Sequence, residues 1–119
     1  MLVAVTGSNG FVGRHICKIL EEKGYKLIRI QRDEGIKVIS IKDINSRDSW
    51  INAFKEVDIV IHCAAAVHVF KDSNKSEKYM NSINVNGTKT IAEAASASGV
   101  RRFIFYAFHG FYLFLLRAG

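Results

Sequence analysis

Apolar residues fall in short continuous runs that alternate with stretches of helical period. Leu2–Thr6, Lys26–Ile30, Lys37–Ile41, Asp58–His62 and Arg102–Tyr106 are such runs. Continuous Val- and Ile-rich segments of this length suit strands buried on both faces. Between the first two runs, Phe11–Lys23 places Val12, Ile16, Ile19 and Leu20 on one helical face and stops at Gly24. Ser46–Lys55 clusters Trp50, Ile51 and Phe54, with Ser46 or Asp48 as its cap. A longer helical stretch, Ser76–Ser98, is expected to be interrupted at Gly87 and to end at Gly99. Strands alternating with helices predict an α/β fold. Its parallel sheet would have about five strands, with helices on both faces. Such sheets bind ligands at the carboxyl ends of the strands, where the strand order reverses.

One junction carries chemistry. The first strand runs straight into Gly7-Ser8-Asn9-Gly10-Phe11-Val12-Gly13 and then a helix. Gly7 supplies the positive φ of a sharp turn. Gly10, lacking a Cβ, lets a pyrophosphate approach the main chain, and Gly13 lets the helix lie close against the strand. The helix N-terminus offers free N–H groups and a partial positive charge to an anion. The spacing is Gly-x-x-Gly-x-x-Gly, one residue longer at its first gap than the common dinucleotide fingerprint.

Composition narrows the setting. The 119 residues suffice for one domain with a modest core, and 49% are hydrophobic, which excludes a disordered chain. The net charge of +6 raises the question of a nucleic-acid partner. The basic residues are interleaved with acids, as in Arg32-Asp33-Glu34, which favours a solvated basic surface and no nucleic acid. Cys17 and Cys63 sit in apolar surroundings and read as buried free thiols. His62 and His68 lack acids or cysteines at ligand spacing, so no metal site is expected. The first residues already form a strand, so no signal peptide is read and a cytoplasmic setting is expected.

Further matches lie downstream of the glycine turn: Ile61-His62-Cys63-Ala64-Ala65, Asn84-Val85-Asn86-Gly87-Thr88 and Gly99-Val100-Arg101-Arg102-Phe103-Ile104-Phe105. Together with Thr6-Gly7-x-x-Gly10-Phe11-Val12-Gly13 they resemble the NAD-dependent epimerase/dehydratase family of the extended short-chain dehydrogenase/reductase superfamily. Val60–Val69 is similar to members from surface-polysaccharide biosynthesis. The resemblance covers about residues 1–105 and implies a Rossmann-like fold with its strands in the order 3-2-1-4-5, an NAD(P) cofactor and a nucleotide-sugar substrate. It implies that Gly7, Gly10 and Gly13 hold the pyrophosphate, with Phe11 and Val12 donating main-chain N–H groups. It further implies that Asp43 and Ile44 border the adenine, that Ala64 and Ala65 line the path to the nicotinamide, and that Asn84 braces the end of the fourth strand. Asp43 also reads as an ordinary loop residue or cap, and Ala64 and Ala65 as tight packing.

The end of the second strand bears on the cofactor phosphate. An acid there bonds the ribose hydroxyls and repels a 2′-phosphate. Gln31 holds that place, and Arg32 next to it suits a 2′-phosphate. Site chemistry leans to NADP and the family to NAD, so the cofactor is written NAD(P).

The resemblance fails after Phe105. The family continues with a serine-rich segment and a Tyr-x-x-x-Lys pair, the general acid/base and its partner. Here Ala107 and Phe108 hold the serine positions, and Tyr112 is followed four residues on by Leu116. Residues 106–119 form an apolar, divergent tail, too short to span a bilayer, which needs about 20 residues. We expect a C-terminally truncated or frame-shifted product, inactive alone and able to associate through its tail. Two functions stay open: the NAD(P)-binding part of an epimerase or dehydratase, or a non-catalytic NAD(P)-binding sensor or interaction module. Whether the chain is itself an enzyme is open at this point.

Overall fold

A computed structural model describes residues 1–63, 74–107 and 110–116, and the side chains within them except those of 74–85, 107, 110 and 111. The elements follow in the order β1 (Leu2–Thr6), α1 (Phe11–Glu22), β2 (Lys26–Gln31), β3 (Ile39–Ser40), α2 (Arg47–Ala53), β4 (Ile59–Cys63), α3 (Asn74–Ala97), β5 (Arg102–Ala107) and β6 (Gly110–Leu115). They build one six-stranded sheet in the order β3-β2-β1-β4-β5-β6. The first five strands pair in parallel, in the order read from the sequence. β6 adds a sixth, antiparallel strand, with Phe103 opposite Phe114 and Phe105 opposite Tyr112. The apolar tail therefore returns along β5, and the sheet is mixed.

Both faces are covered, which is why the strands read as unbroken apolar runs. On one face Ala4, Ile30, Val60 and Phe103 pack against Trp50, Ala53 and Phe54 of the α2 region and Ile91, Ala94 and Ala95 of α3. On the other, Val3, Val5, Ile61 and Cys63 pack against Cys17 of α1, flanked by Val12, Ile16 and Leu20. The inward stripe of α1 thus contains Cys17 and not Ile19, which is 51% exposed. Residues advance about 100° each along a helix, so Ile19 lands on the rim of the stripe centred between Val12 and Cys17.

Besides shifts of one or two residues at several element ends, three local features differ from expectation. β3 is two residues long, because Lys37 adopts a left-handed φ of 57° and delays the strand. Ser46 is the N-cap of α2, yet its hydroxyl shares a 2.8 Å hydrogen bond with Ser49 Oγ and makes no cap bond to the backbone. α3 runs through Gly87 without a break. There the missing side chain makes room for a neighbour: a Cβ on Gly87 would stand 2.5 Å from Ile44 Cδ1. The stop of α3 is as read, with Gly99 at φ 83°.

Candidate functional site

The strand order reverses between β1 and β4, so the crevice lies over their carboxyl ends. The glycine turn sits in that crevice. Gly7 has φ 63°, and a Cβ there would lie 2.6 Å from the carbonyl oxygen of Cys63 at the end of β4. The Gly10 N–H donates to Gly7 O at 3.0 Å, and the Arg14 N–H donates to Gly10 O at 2.9 Å to open α1. Gly13 packs not on the strand, as expected, but on the turn itself: its Cβ would stand 2.1 Å from Gly7 O and 3.0 Å from Ser8 Cα.

Gly10 differs from both. Its backbone is ordinary extended (φ −76°, ψ 172°), and a Cβ would meet only Gly7 O, at 3.3 Å. A Cβ there would press lightly on the Gly7 carbonyl, a far milder conflict than at Gly7 or Gly13. No side chain caps α1 and no acid lies in its first turn. Phe11 and Val12 stand at the first helical positions, where N–H groups have no acceptor within the helix. The Phe11 side chain is 70% exposed. The junction is a built anion cradle of main-chain donors.

Sequence reasoning missed what ties the cradle down. Ser8 is buried, and both its N–H and its hydroxyl donate to Ile30 O in β2, at 3.2 and 3.3 Å. The signal available was a small hydroxyl residue directly after Gly7. Thr6 and His62 are buried beneath the turn. The Thr6 hydroxyl and His62 Nδ1 share a hydrogen bond of 2.5 Å, and His62 Nε2 and the Thr88 hydroxyl share one of 3.1 Å. The His62 ring stacks on Phe105 with centroids 5.5 Å apart. Burial pushes its pKa down to about 4, so the imidazole is neutral. Burial likewise raises both thiols: Cys17 titrates above the usual range and Cys63 is pushed up to about 12. Both cysteines are free and buried. Among the described residues no three His, Cys, Asp or Glu side chains cluster as a metal site.

Of the remaining candidates, those that are described follow β2 and β3 or lie in α3. Gln31 ends β2 and its Nε2 donates to Asp33 O at 2.9 Å. Arg32 follows, exposed, its carbonyl accepting from Ser40 Oγ at 2.8 Å. Among the described residues the single ion pair is Arg29–Glu21, so the Arg32 guanidinium stays uncommitted. Asp43 is exposed; one carboxylate oxygen accepts the Asn45 N–H at 2.9 Å, which shapes the loop and leaves the other oxygen open. Ile44 is held by Trp50 Nε1, which donates to its carbonyl at 2.9 Å, and by the notch at Gly87. Asn84 lies in α3, its side chain outside the described residues. Ala64, Ala65 and His68 also lie outside the described residues.

A mostly parallel sheet with a glycine-lined, uncapped helix start at its switch point defines an α/β protein of the Rossmann-like class, in which such a turn suits a phosphate. A sequence profile of the NAD dependent epimerase/dehydratase family matches residues 3–112, and the chain belongs to that family. It is 33% identical over 110 residues to a UDP-glucose 4-epimerase of Vibrio cholerae, covering 87% of this chain and 33% of that protein. It is 30% identical over 114 residues to a 3-beta-hydroxysteroid dehydrogenase of Mycolicibacterium neoaurum, covering 88% of this chain and 31% of that one. The solved complex of MoeE5 with UDP-glucose and NAD superposes with a TM-score of 0.72 at 28% identity, covering 88% of this chain and 36% of that chain. The chain thus spans about a third of the length of these relatives.

Proposed function

We propose that this chain is the NAD(P)-binding part of an epimerase/dehydratase-like oxidoreductase acting on a nucleotide sugar. The single observation that carries the reading is the glycine-lined start of α1 at the switch point, where Gly7 turns at φ 63° and no side chain caps the first helical N–H groups. In this reading the pyrophosphate lies on Gly7, Gly10 and Gly13 and accepts hydrogen bonds from the Phe11 and Val12 amides. Asp43 and Ile44 border the adenine, and Arg32 meets the ribose or a 2′-phosphate. Ala64 and Ala65 line the way to the nicotinamide, and Asn84 braces the end of β4. When bound, the cofactor supplies a hydride acceptor. The UDP-glucose in the MoeE5 complex and the epimerase from Vibrio cholerae support a nucleotide sugar, and similarity of Val60–Val69 to surface-polysaccharide enzymes supports that pathway class.

These 119 residues hold no Tyr-x-x-x-Lys pair and no serine after β5, so the chain alone binds cofactor without turnover. Residues 1–105 are the binding unit and 106–119 a divergent tail through which copies associate. Among the described residues no helix is long and apolar enough to cross a membrane. We place the protein in the cytoplasm, with the dinucleotide rather than nucleic acid as its partner. Calorimetric titration of wild type and Gly10→Val with NAD+ and NADP+ tests the reading. The variant should fold at a cost of about 0.5–2 kcal/mol, valine being a poor N-cap residue, and weaken dinucleotide binding at least about tenfold. Undiminished uptake by the folded variant overturns it.

A further inference from the structure

One row of residues crosses the carboxyl end of the sheet in register: Ile30, Thr6, His62, Phe105 and Tyr112. An imidazole is an unexpected member of such a row, since an aliphatic side chain fills the same space without a polar ring to satisfy. Here every ring nitrogen is engaged, one by Thr6 of β1 and one by Thr88 of α3. A neutral imidazole has one donor and one acceptor, so the three groups form a chain with a direction. Either the Thr6 hydroxyl donates to Nδ1 and Nε2 donates to Thr88, or both bonds run the other way.

The place of this chain gives it a task. Thr6 is the last residue of β1 and Gly7 the first of the turn. His62 is bonded to Cys63, whose carbonyl leaves no room for a side chain on Gly7. β1 and β4 are the two strands that flank the switch point. We infer that His62 is a positioning residue for the glycine turn: clasped by the Thr6 and Thr88 hydroxyls, it sets the spacing of the β1 and β4 ends, seats α3 against them, and so aims the turn's amides at the dinucleotide. This rests on the reading that the turn holds a dinucleotide.

Thr→Val removes each hydroxyl while keeping the shape, and Thr→Ser restores it. Thr6→Val and Thr88→Val should raise the Kd for NAD+ about tenfold, the order of effect expected when positioned donors shift by a fraction of an ångström. Thr6→Ser and Thr88→Ser should return it to within about twofold of wild type. Imidazole 15N spectra should show one protonated and one bare His62 nitrogen in the wild type, with that balance shifted in either valine variant. Thr88 is only half-buried, so its variant carries the comparison if Thr6→Val does not fold. Valine variants that bind NAD+ like wild type, however much less stable, make the row mere packing and overturn the inference. A wild-type chain that takes up neither NAD+ nor NADP+ overturns the underlying reading as well, and so separates the two failures.

Discussion

Gly13→Ala tests the geometry of the cradle most directly. The added methyl would stand 2.1 Å from Gly7 O, 2.9 Å from Gly7 C and 3.0 Å from Ser8 Cα, all of them backbone atoms that cannot rotate away. Restoring ordinary contact at 3.4 Å requires about 1.3 Å of separation between α1 and the turn. Alanine gains about 1 kcal/mol over glycine in a helix, and overpacking costs about 1–3 kcal/mol. Because the blocking atoms are backbone, the net loss of stability should be about 2 kcal/mol or more, and circular dichroism establishes that the variant is folded before it is titrated. Binding suffers as well, because displacements near 1 Å at a positioned site cost up to about a hundredfold. We expect Gly13→Ala to weaken NAD+ binding by about ten- to a hundredfold in a calorimetric titration. Gly24→Ala is the control: Gly24 has φ 86° with nothing within 4 Å of its absent Cβ. It should lower Tm through backbone strain alone and leave the Kd unchanged. A folded Gly13→Ala chain with wild-type affinity would refute the idea that close packing of turn and helix aims the donors.

Other outcomes follow from the same structure. The folded chain holds His62 neutral, with its pKa about 4 against 6.5 when exposed. The unfolded chain therefore binds the extra proton in this window, and stability falls as pH drops from about 6.5 to about 4. Between about pH 7 and about pH 5 the loss attributable to this ring is on the order of 2 kcal/mol; a urea-denaturation series showing the same slope in wild type and His62→Phe would refute it. Arg32→Glu should lower affinity for NADP+ far more than for NAD+, and parallel titrations giving an unchanged ratio would remove Arg32 from the phosphate role. On β6, Leu113 and Leu115 are 59% and 74% exposed on the outermost strand, so the chain should self-associate with rising concentration. The Leu113→Lys/Leu115→Lys double variant should sediment as a monomer; wild type that is already monomeric at high concentration would count against an adhesive edge.

Local signals were legible because they are short-range. The strand of Leu2–Thr6, the turn at Gly7 and the stop at Gly99 each follow from a few adjacent residues, and the sequence reading places them where they occur. Alternation and handedness pointed to a parallel sheet covered on both faces, and the family resemblance supplied the strand order. What escaped were contacts between segments distant in sequence. Gly87 looked like a helix breaker because propensity cannot see Ile44 resting in its notch. Ile19 looked inward because Cys17 was not counted as the apolar anchor of α1. The return of Gly110–Leu115 along β5 depends on cross-strand pairing that no periodicity encodes. At the site, the glycines were conspicuous, whereas Ser8, Thr6 and Thr88 carry no pattern of their own. Their meaning appears only once β2, β4 and α3 converge on the turn.

The double grip of Ser8 on Ile30 has a thermodynamic sequel. A loop pinned to the neighbouring strand needs little ordering when an anion arrives, so its conformational entropy is already lost in the folded apo chain. Dinucleotide binding should then resemble docking onto a rigid surface, with a modest unfavourable entropy and little change in amide exchange around residues 7–13. The pinning also makes ligand and fold mutually reinforcing: at a hundredfold excess over Kd, the cofactor would add about 2.7 kcal/mol to the unfolding free energy.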